Sequence, residues 1–458
     1  MIALTILFGL IGLGIIIFVH ELGHFLAAKA GGIDVETFSL GWGKRLAGFT
    51  RGGTEYRISW FPLGGYCKMK GEMLRANLEQ AEMDRMRGEE GSYLAASPWK
   101  RIVVVLAGPL ANMVFAVVVL SFIWWVGFST FSWPNKIIVA PDYMQAHGEE
   151  VHPARQAGLE SGDRIVAMNG RPVESFWDIT EVILQNPGTP VLCEVERRTP
   201  QGTTALEATV TPDVDPDTGQ PVIGIHAWIE PVIGTVAPDR AAALSGFAAG
   251  DRILRVDGRE VRHSVDFERA LQEAKGSVDV LIERGSGRRT LTLVRETDGG
   301  GAPDPGFEWD YSAYRSPRVG LFGALGRGFT QTADLIRLTL MGIGRLLSFR
   351  FKGLQLAGPI RMTQIMGEAA TAGFDLGIGV GFVSFFRILG FISVAIGLTQ
   401  LLPIPVLDGG QFVLNAFEGL RRKALGPKFI YRFQITGIFI ILIILVTTIM
   451  SDILSFVR

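Results

Sequence analysis

The sequence predicts a polytopic α-helical membrane protein: four transmembrane helices, with a soluble α+β insert between the second and the third. Three observations predict it. Four long runs are almost free of charge, Lys and Arg gather between particular pairs of runs, and the stretch between runs two and three repeats itself. Composition agrees. Of 458 residues, 48% are hydrophobic and 19% charged, against about 25% charged in soluble domains. A formal net charge of −1 argues against a general nucleic-acid binder. Two cysteines in the whole chain exclude a disulfide-stapled fold.

The first run, Ile2 to Val19, is long enough to cross a bilayer core, which takes about 20 apolar residues. It has no preceding Lys or Arg and no small-residue cleavage site, so it reads as a retained span rather than a signal peptide. Ile102 to Phe128 is the second run, interrupted only by Gly108-Pro109. The third runs from about Gly377 to Leu402 with one charge, Arg387, and the fourth from about Phe433 to Met450. Lys29, Lys44, Arg45, Arg85, Arg87, Lys100 and Arg101 lie between spans one and two, and Arg421, Arg422, Lys423 and Lys428 between spans three and four. The positive-inside bias therefore places both connections in the cytoplasm and both termini outside, which in a bacterium is the periplasm. The segment from about Ser129 to Asp375 is then external.

That segment carries the repeat. Gly158, Gly162, Asp163, Ile165, Gly170, Arg171, Val173, Asp178 and Gly188 recur 88 residues on as Gly246, Gly250, Asp251, Ile253, Gly258, Arg259, Val261, Asp266 and Gly276. Such self-similarity means two tandem copies of one small domain. Each copy reads as strand, Asn-Gly or Asp-Gly turn, strand, amphipathic helix and two more strands. The pattern resembles the permuted PDZ domains of bacterial envelope proteases, which take extended peptides by strand addition. Residues 134–228 and 229–297 are the two PDZ-like domains; periplasmic peptides are their expected partners, a plain spacer the alternative. Beyond them, residues 316–375 have apolar positions at helical spacing broken by Asp334, Arg337 and Arg345. They read as amphipathic helices at the outer membrane–water boundary.

The chemistry stands at the inner end of span one, in His20-Glu21-Leu22-Gly23-His24. Residues four apart share a helix face, so both imidazoles can grip one Zn²⁺. Zinc lowers the pKa of a bound water to about 7, and Glu21 stands ready to take its proton. Ionisable groups within a span default to function. A third ligand is needed. Asp34 and Glu36 are candidates in a polar loop, but Asp408 is better: it stands in Leu402-Pro403-Ile404-Pro405-Val406-Leu407-Asp408-Gly409-Gly410, where prolines stop span three and glycines permit a close turn. Three ligands leave a place open for water, whereas a structural zinc site has four.

HELGH ending span one and LDGG ending span three resemble the paired signatures of the site-2 intramembrane zinc metalloproteases. The tandem PDZ-like insert resembles the regulator-of-sigma-E protease branch. FPLGGYCKMKGE at 61–72, AGPLANMVFA at 107–116 and GPIRMTQ at 358–364 match too, so the resemblance covers essentially the whole chain. It implies a zinc endopeptidase that cuts transmembrane segments of single-pass proteins within the lipid bilayer of the bacterial inner membrane. Its expected partners are anti-sigma factors, in envelope-stress signalling by regulated intramembrane proteolysis, and signal-peptide remnants. The family often has Asn where this chain has Ala395 and Gln400, and His at the place of Gln411; these departures bear on substrate handling, not on the metal.

Cleavage of a membrane helix requires it to unwind beside a surface that supplies new hydrogen bonds. Residues 54–69 alternate around Tyr56, Ile58 and Trp60 and then turn at Pro62, Gly64 and Gly65. They suit a cytoplasmic-side re-entrant β-element offering a strand edge to the substrate, and the resemblance implies Gln400 as a further substrate contact. Domains 1–128 and 376–458 then hold the two halves of the active site. The competing reading is a non-catalytic membrane receptor sensing periplasmic peptides through its PDZ-like pair.

Overall fold

The computed structural model describes residues 2–72, 79–140, 152–214, 221–274, 276–294, 305–316, 319–347 and 358–457. Parts of the two PDZ-like domains and of the 316–375 region, and Arg458, therefore lie outside the described residues. The chain forms two compact units, Met1–Phe128 with Ser316–Arg458, and Ser129–Arg315.

The first unit contains α1 (Ile2–Ala30), the long strands β1 (Val35–Arg51) and β2 (Thr54–Met69), α2 (Gln80–Gly88) and α3 (Pro98–Val126). After the insert come α8 (Leu321–Leu347), α9 (Pro359–Asp375), α10 (Ile378–Gln400), α11 (Asp408–Arg421) and α12 (Pro427–Val457). Four stretches of helix are long and apolar enough to cross a membrane: Ala3–Ala30, Pro98–Val126, Ile378–Gln400 and Pro427–Met450. The chain is a polytopic helical membrane protein with several β-sheets. Helix α3 starts cleanly because Ser97 accepts the Lys100 N–H and Pro98, lacking its own N–H, sits where none is needed.

β1 and β2 each fold back on themselves. Residues 37–40 pair with 65–68 on one side and with 55–58 on the other, and 55–58 pair again with 47–50. The result is a small four-stranded sheet in the order 65–69, 35–40, 54–59, 45–51. Tyr56 and Ile58 thus stand on an inner strand, and within the 54–69 element it is 65–69 that lies at the sheet's edge. Tyr56, half-buried, packs its ring on Phe25, Phe38 and Phe49.

Helices α8 and α9, in the 316–375 region, pack on the spans. Leu335, Ile336 and Ile343 of α8 pack on Ala116, Val394 and Leu398, and Met366 and Ala370 of α9 pack on Ile16, Phe385 and Leu389. Their apolar faces cover α1, α3 and α10 lengthwise. Spacing alone shows that a helix has an apolar face, not whether lipid or another helix covers it.

The insert holds two copies of one arrangement. The first comprises β4 (Ile137–Val139), α4 (Pro153–Gln156), β5 (Arg164–Met168), β6 (Arg171–Pro172), α5 (Phe176–Gln185), β7 (Val191–Thr199), β8 (Gly202–Val210) and β11 (Ile225–Ala227). The second comprises β12 (Ile233–Val236), α6 (Ala241–Leu244), β13 (Arg252–Val256), β14 (Arg259–Glu260), α7 (Ser264–Glu273), β15 (Val278–Arg284), β16 (Gly287–Leu293) and β17 (Phe307–Trp309). Sheet orders β6-β5-β7-β8 and β14-β13-β15-β16 match strand for strand, and β4–β11 and β12–β17 are equivalent closing pairs. Asn169-Gly170 and Asp257-Gly258 both have positive φ throughout, as a tight hairpin turn demands. Each copy has its own core, one around Ile165, Ile179 and Val195, the other around Ile253, Phe267 and Ile282. Phe307, beyond residue 297, belongs to the second core. The pair β9 (Asp213–Val214) and β10 (Pro221–Val222) and the pair β3 (Ser129–Ser132) and β18 (Ser312–Arg315) complete the unit.

Candidate metal centre

Helix α1 runs unbroken through Ala30, so His20, Glu21 and His24 stand on regular helix, with the two imidazole rings edge to face at 4.8 Å. Asp408 opens α11 directly after the Pro-bounded turn and meets them. His20 Nε2 lies 3.1 Å and His24 Nε2 3.4 Å from Asp408 Oδ2, and the two Nε2 atoms are 3.3 Å apart. Three ligands of a tetrahedral zinc, at about 2.0–2.1 Å from the metal, stand about 3.3 Å from one another. The triangle has that size. Both histidines are 7% exposed, and the Oδ2 atom of Asp408, itself shielded from solvent, meets no hydrogen-bond donor among the described residues, a cost that a shared cation relieves. The donor set and its spacing therefore fit a zinc ion. Among the described residues this is the only cluster of three such ligands.

The alternatives for the third ligand are spent elsewhere. Glu36 pairs with Lys68 at 2.6 Å, and Asp34 lies against Gly91. Glu21 reaches the sheet, where its carboxylate accepts a backbone hydrogen bond from Cys67. Gly65 lies on the same side: a Cβ there would stand 3.3 Å from Glu21 Cγ and 2.9 Å from Ile17. Gly64 packs on the Trp42 indole, while Ile58 and Trp60 are exposed. Gln400 closes α10, eight residues before Asp408.

The comparisons agree with the geometry. The model of peptidase family M50 matches residues 8–444. The chain belongs to peptidase family M50. The regulator of sigma-E protease RseP of Escherichia coli K12 is 31% identical over 90% of both chains, and protease RseP of Yersinia pestis 32% over 90% of both. A relative from Treponema pallidum is 34% identical over 98% of this chain and 99% of its own. This M50 peptidase is an intramembrane zinc endopeptidase of the site-2 type, of the branch that acts in regulated intramembrane proteolysis.

Close packing explains the glycines around the centre. The Cβ of any other residue at Gly409 would collide with the Leu401 and Leu402 carbonyls, and at Gly410 with the Ile404 carbonyl, so LDGG folds its aspartate tightly back on the end of α10. Val406, two residues before Asp408, has φ +82°, a strained region for a β-branched side chain.

Sequence reasoning missed the contribution of α3. Val104, Gly108 and Asn112 lie four apart on one face. The Val104 carbonyl accepts from His24 Nδ1 at 2.8 Å, Asn112 stands 3.3 Å from His20 Nδ1, and a Cβ on Gly108 would strike the His24 ring. A signal was present: Asn112 is an amide in the middle of an apolar span, four residues after a glycine.

Proposed function

We propose that His20, His24 and Asp408 hold one Zn²⁺ and that Glu21 is the general base of peptide-bond hydrolysis within the membrane. The triangle of 3.1–3.4 Å carries this reading. A single catalytic zinc has three protein ligands and keeps its fourth place for water, whose pKa it lowers to about 7. Glu21 sits one residue from His20 on the same helix, is anchored by the Cys67 N–H, and is close enough to His20, His24 and Asp408 to feel their charges.

The substrate class is single-pass membrane proteins, anti-sigma factors and signal-peptide remnants among them, in keeping with the sigma-E regulation that the relatives' names carry. The unwound substrate is held as an added strand on the 65–69 edge. Strand residues of one parity face outward; the Cys67 N–H faces Glu21, so the Gly65 N–H, two residues away, faces the same side. The two repeats are PDZ-like domains on the periplasmic side, the centre lies near the cytoplasmic face, and the insert admits trimmed substrates while excluding those with bulky external domains.

The test is metal content and cleavage of a model transmembrane substrate. Asp408→Ala should lose zinc and activity together. Glu21→Gln should keep zinc and fold but lose about 10²–10⁴-fold in rate. Zinc held with unchanged affinity by Asp408→Ala, or near-normal turnover by metal-loaded Glu21→Gln, would overturn the assignment.

A further inference from the structure

His24 and His20 are oriented by different means. A backbone carbonyl can only accept, so the Val104 contact at 2.8 Å places the proton of His24 on Nδ1 and leaves the Nε2 lone pair facing Asp408. His20 also turns Nε2 to Asp408, at 3.1 Å, and its Nδ1 therefore meets Asn112. Asn112 is fully buried, and among the described residues its carbonyl oxygen Oδ1 meets no donor while its Nδ2 faces His20. That arrangement would place two proton-bearing atoms against each other whenever Nε2 of His20 is free to bind a metal. The two ends of a carboxamide are nearly isosteric, so the amide turned over occupies the same space. Turned over, Oδ1 has a donor and His20 has an acceptor.

We infer that Asn112 is a positioning residue for the metal centre: its Oδ1 accepts the Nδ1–H of His20 and fixes the tautomer that presents Nε2 to zinc. The inference rests on His20 being a zinc ligand. Metal-bound histidines as a rule donate their second N–H to a fixed acceptor, which orients the ring and raises its basicity. The backbone around Asn112 is itself pinned to the helix that leads to Asp408. Ser393 of α10 donates its hydroxyl to the Asn112 carbonyl at 3.0 Å, and Gly397 closes against Asn112 Cβ. One residue of α3 thus ties a ligand on α1 to the route by which the third ligand arrives.

The experiment is zinc titration of the purified full-length protein against a competing chelator, with apo-protein melting recorded in parallel. Asn112→Leu should weaken zinc binding about 10–100-fold, the usual cost of losing such a partner. Asn112→Asp, which can only accept when ionised, should stay within about threefold of wild type or bind more tightly. Equal loss in both variants would mean that the amide donates to His20 and would overturn the inference. Wild-type affinity in Asn112→Leu would overturn it as well. If Asn112→Leu does not fold, Asn112→Ala replaces it in the same comparison with Asn112→Asp. His20→Ala is the control: unchanged zinc affinity there would remove His20 from the ligands, a failure of the proposed site rather than of Asn112 alone.

Discussion

In the insert, the partners that matter most are near in sequence. Buried Asp163 takes a bidentate pair of hydrogen bonds from Arg197, 34 residues on, and buried Asp251 the same pair from Arg284, 33 residues on. In the membrane unit the corresponding distances are long: His24 to Val104 spans 80 residues, His20 to Asn112 spans 92, and the buried Arg101–Glu418 pair that fastens α11 to α3 spans 317. A repeat of some 90 residues closes its own core and tolerates change locally. The metal centre has no local core. It exists only where α1, α3 and α11 meet, so a small change in one helix is transmitted to all three ligands.

The largest effect should come from a single methyl group. Gly108→Ala puts a Cβ into the His24 ring, and zinc affinity should fall by at least about 100-fold, with cleavage at background. Chelator competition measures it; retention of zinc would show that α1 and α3 can move apart independently. In the insert a whole charge should be less damaging. Arg284→Met leaves buried Asp251 unpaired and should destabilise the second repeat by about 2–3 kcal/mol, read by hydrogen exchange at β13 and β15. Zinc content and the exchange of the first repeat should not change.

Acid should act on the same pair. Burial pushes the Asp251 carboxyl up, but the Arg284 ion pair outweighs it and holds the group below its ordinary 3.8. The pair's contribution is therefore complete above that value and lost as pH falls through the lower folded value. Exchange protection of β13 in the full-length protein should hold down to about pH 4 and then decline, whereas Arg284→Met should lack that step.

A smaller effect is expected at the sheet. Gly65→Ala should displace Glu21 while leaving the ligands, lowering turnover about tenfold with zinc retained, since general-base catalysis depends on hydrogen-bond reach. Full activity would mean that the 65–69 edge and Glu21 do not share a surface. The smallest should be a cap. Ser175 starts α5 with a reciprocal capping box, and His263 starts α7 at the equivalent place by accepting the Asp266 N–H on Nδ1. Ser175→Ala should cost about 1 kcal/mol; an unchanged thermal melt would show that the capping box does not hold α5.

Features that depend on local period and composition are legible in the chain alone. Long uncharged runs have to be helices in lipid, because only a helix satisfies the backbone within one such segment. The 88-residue recurrence and the Asn-Gly and Asp-Gly turns required two like domains, and four-residue spacing put His20 and His24 on one face. Asp408 was legible because two prolines and two glycines leave few other reasons for a carboxylate at the end of a span. Tertiary structure alone decided the rest. That 55–58 is an inner strand and 65–69 the edge follows from pairing between segments whose alternation looks the same. That α8 and α9 cover other helices follows from which apolar faces meet. Val104, Gly108 and Asn112 became part of the centre only when α3 packed on α1, since a carbonyl, a missing side chain and a lone amide have no chemical signature until a histidine is brought against them.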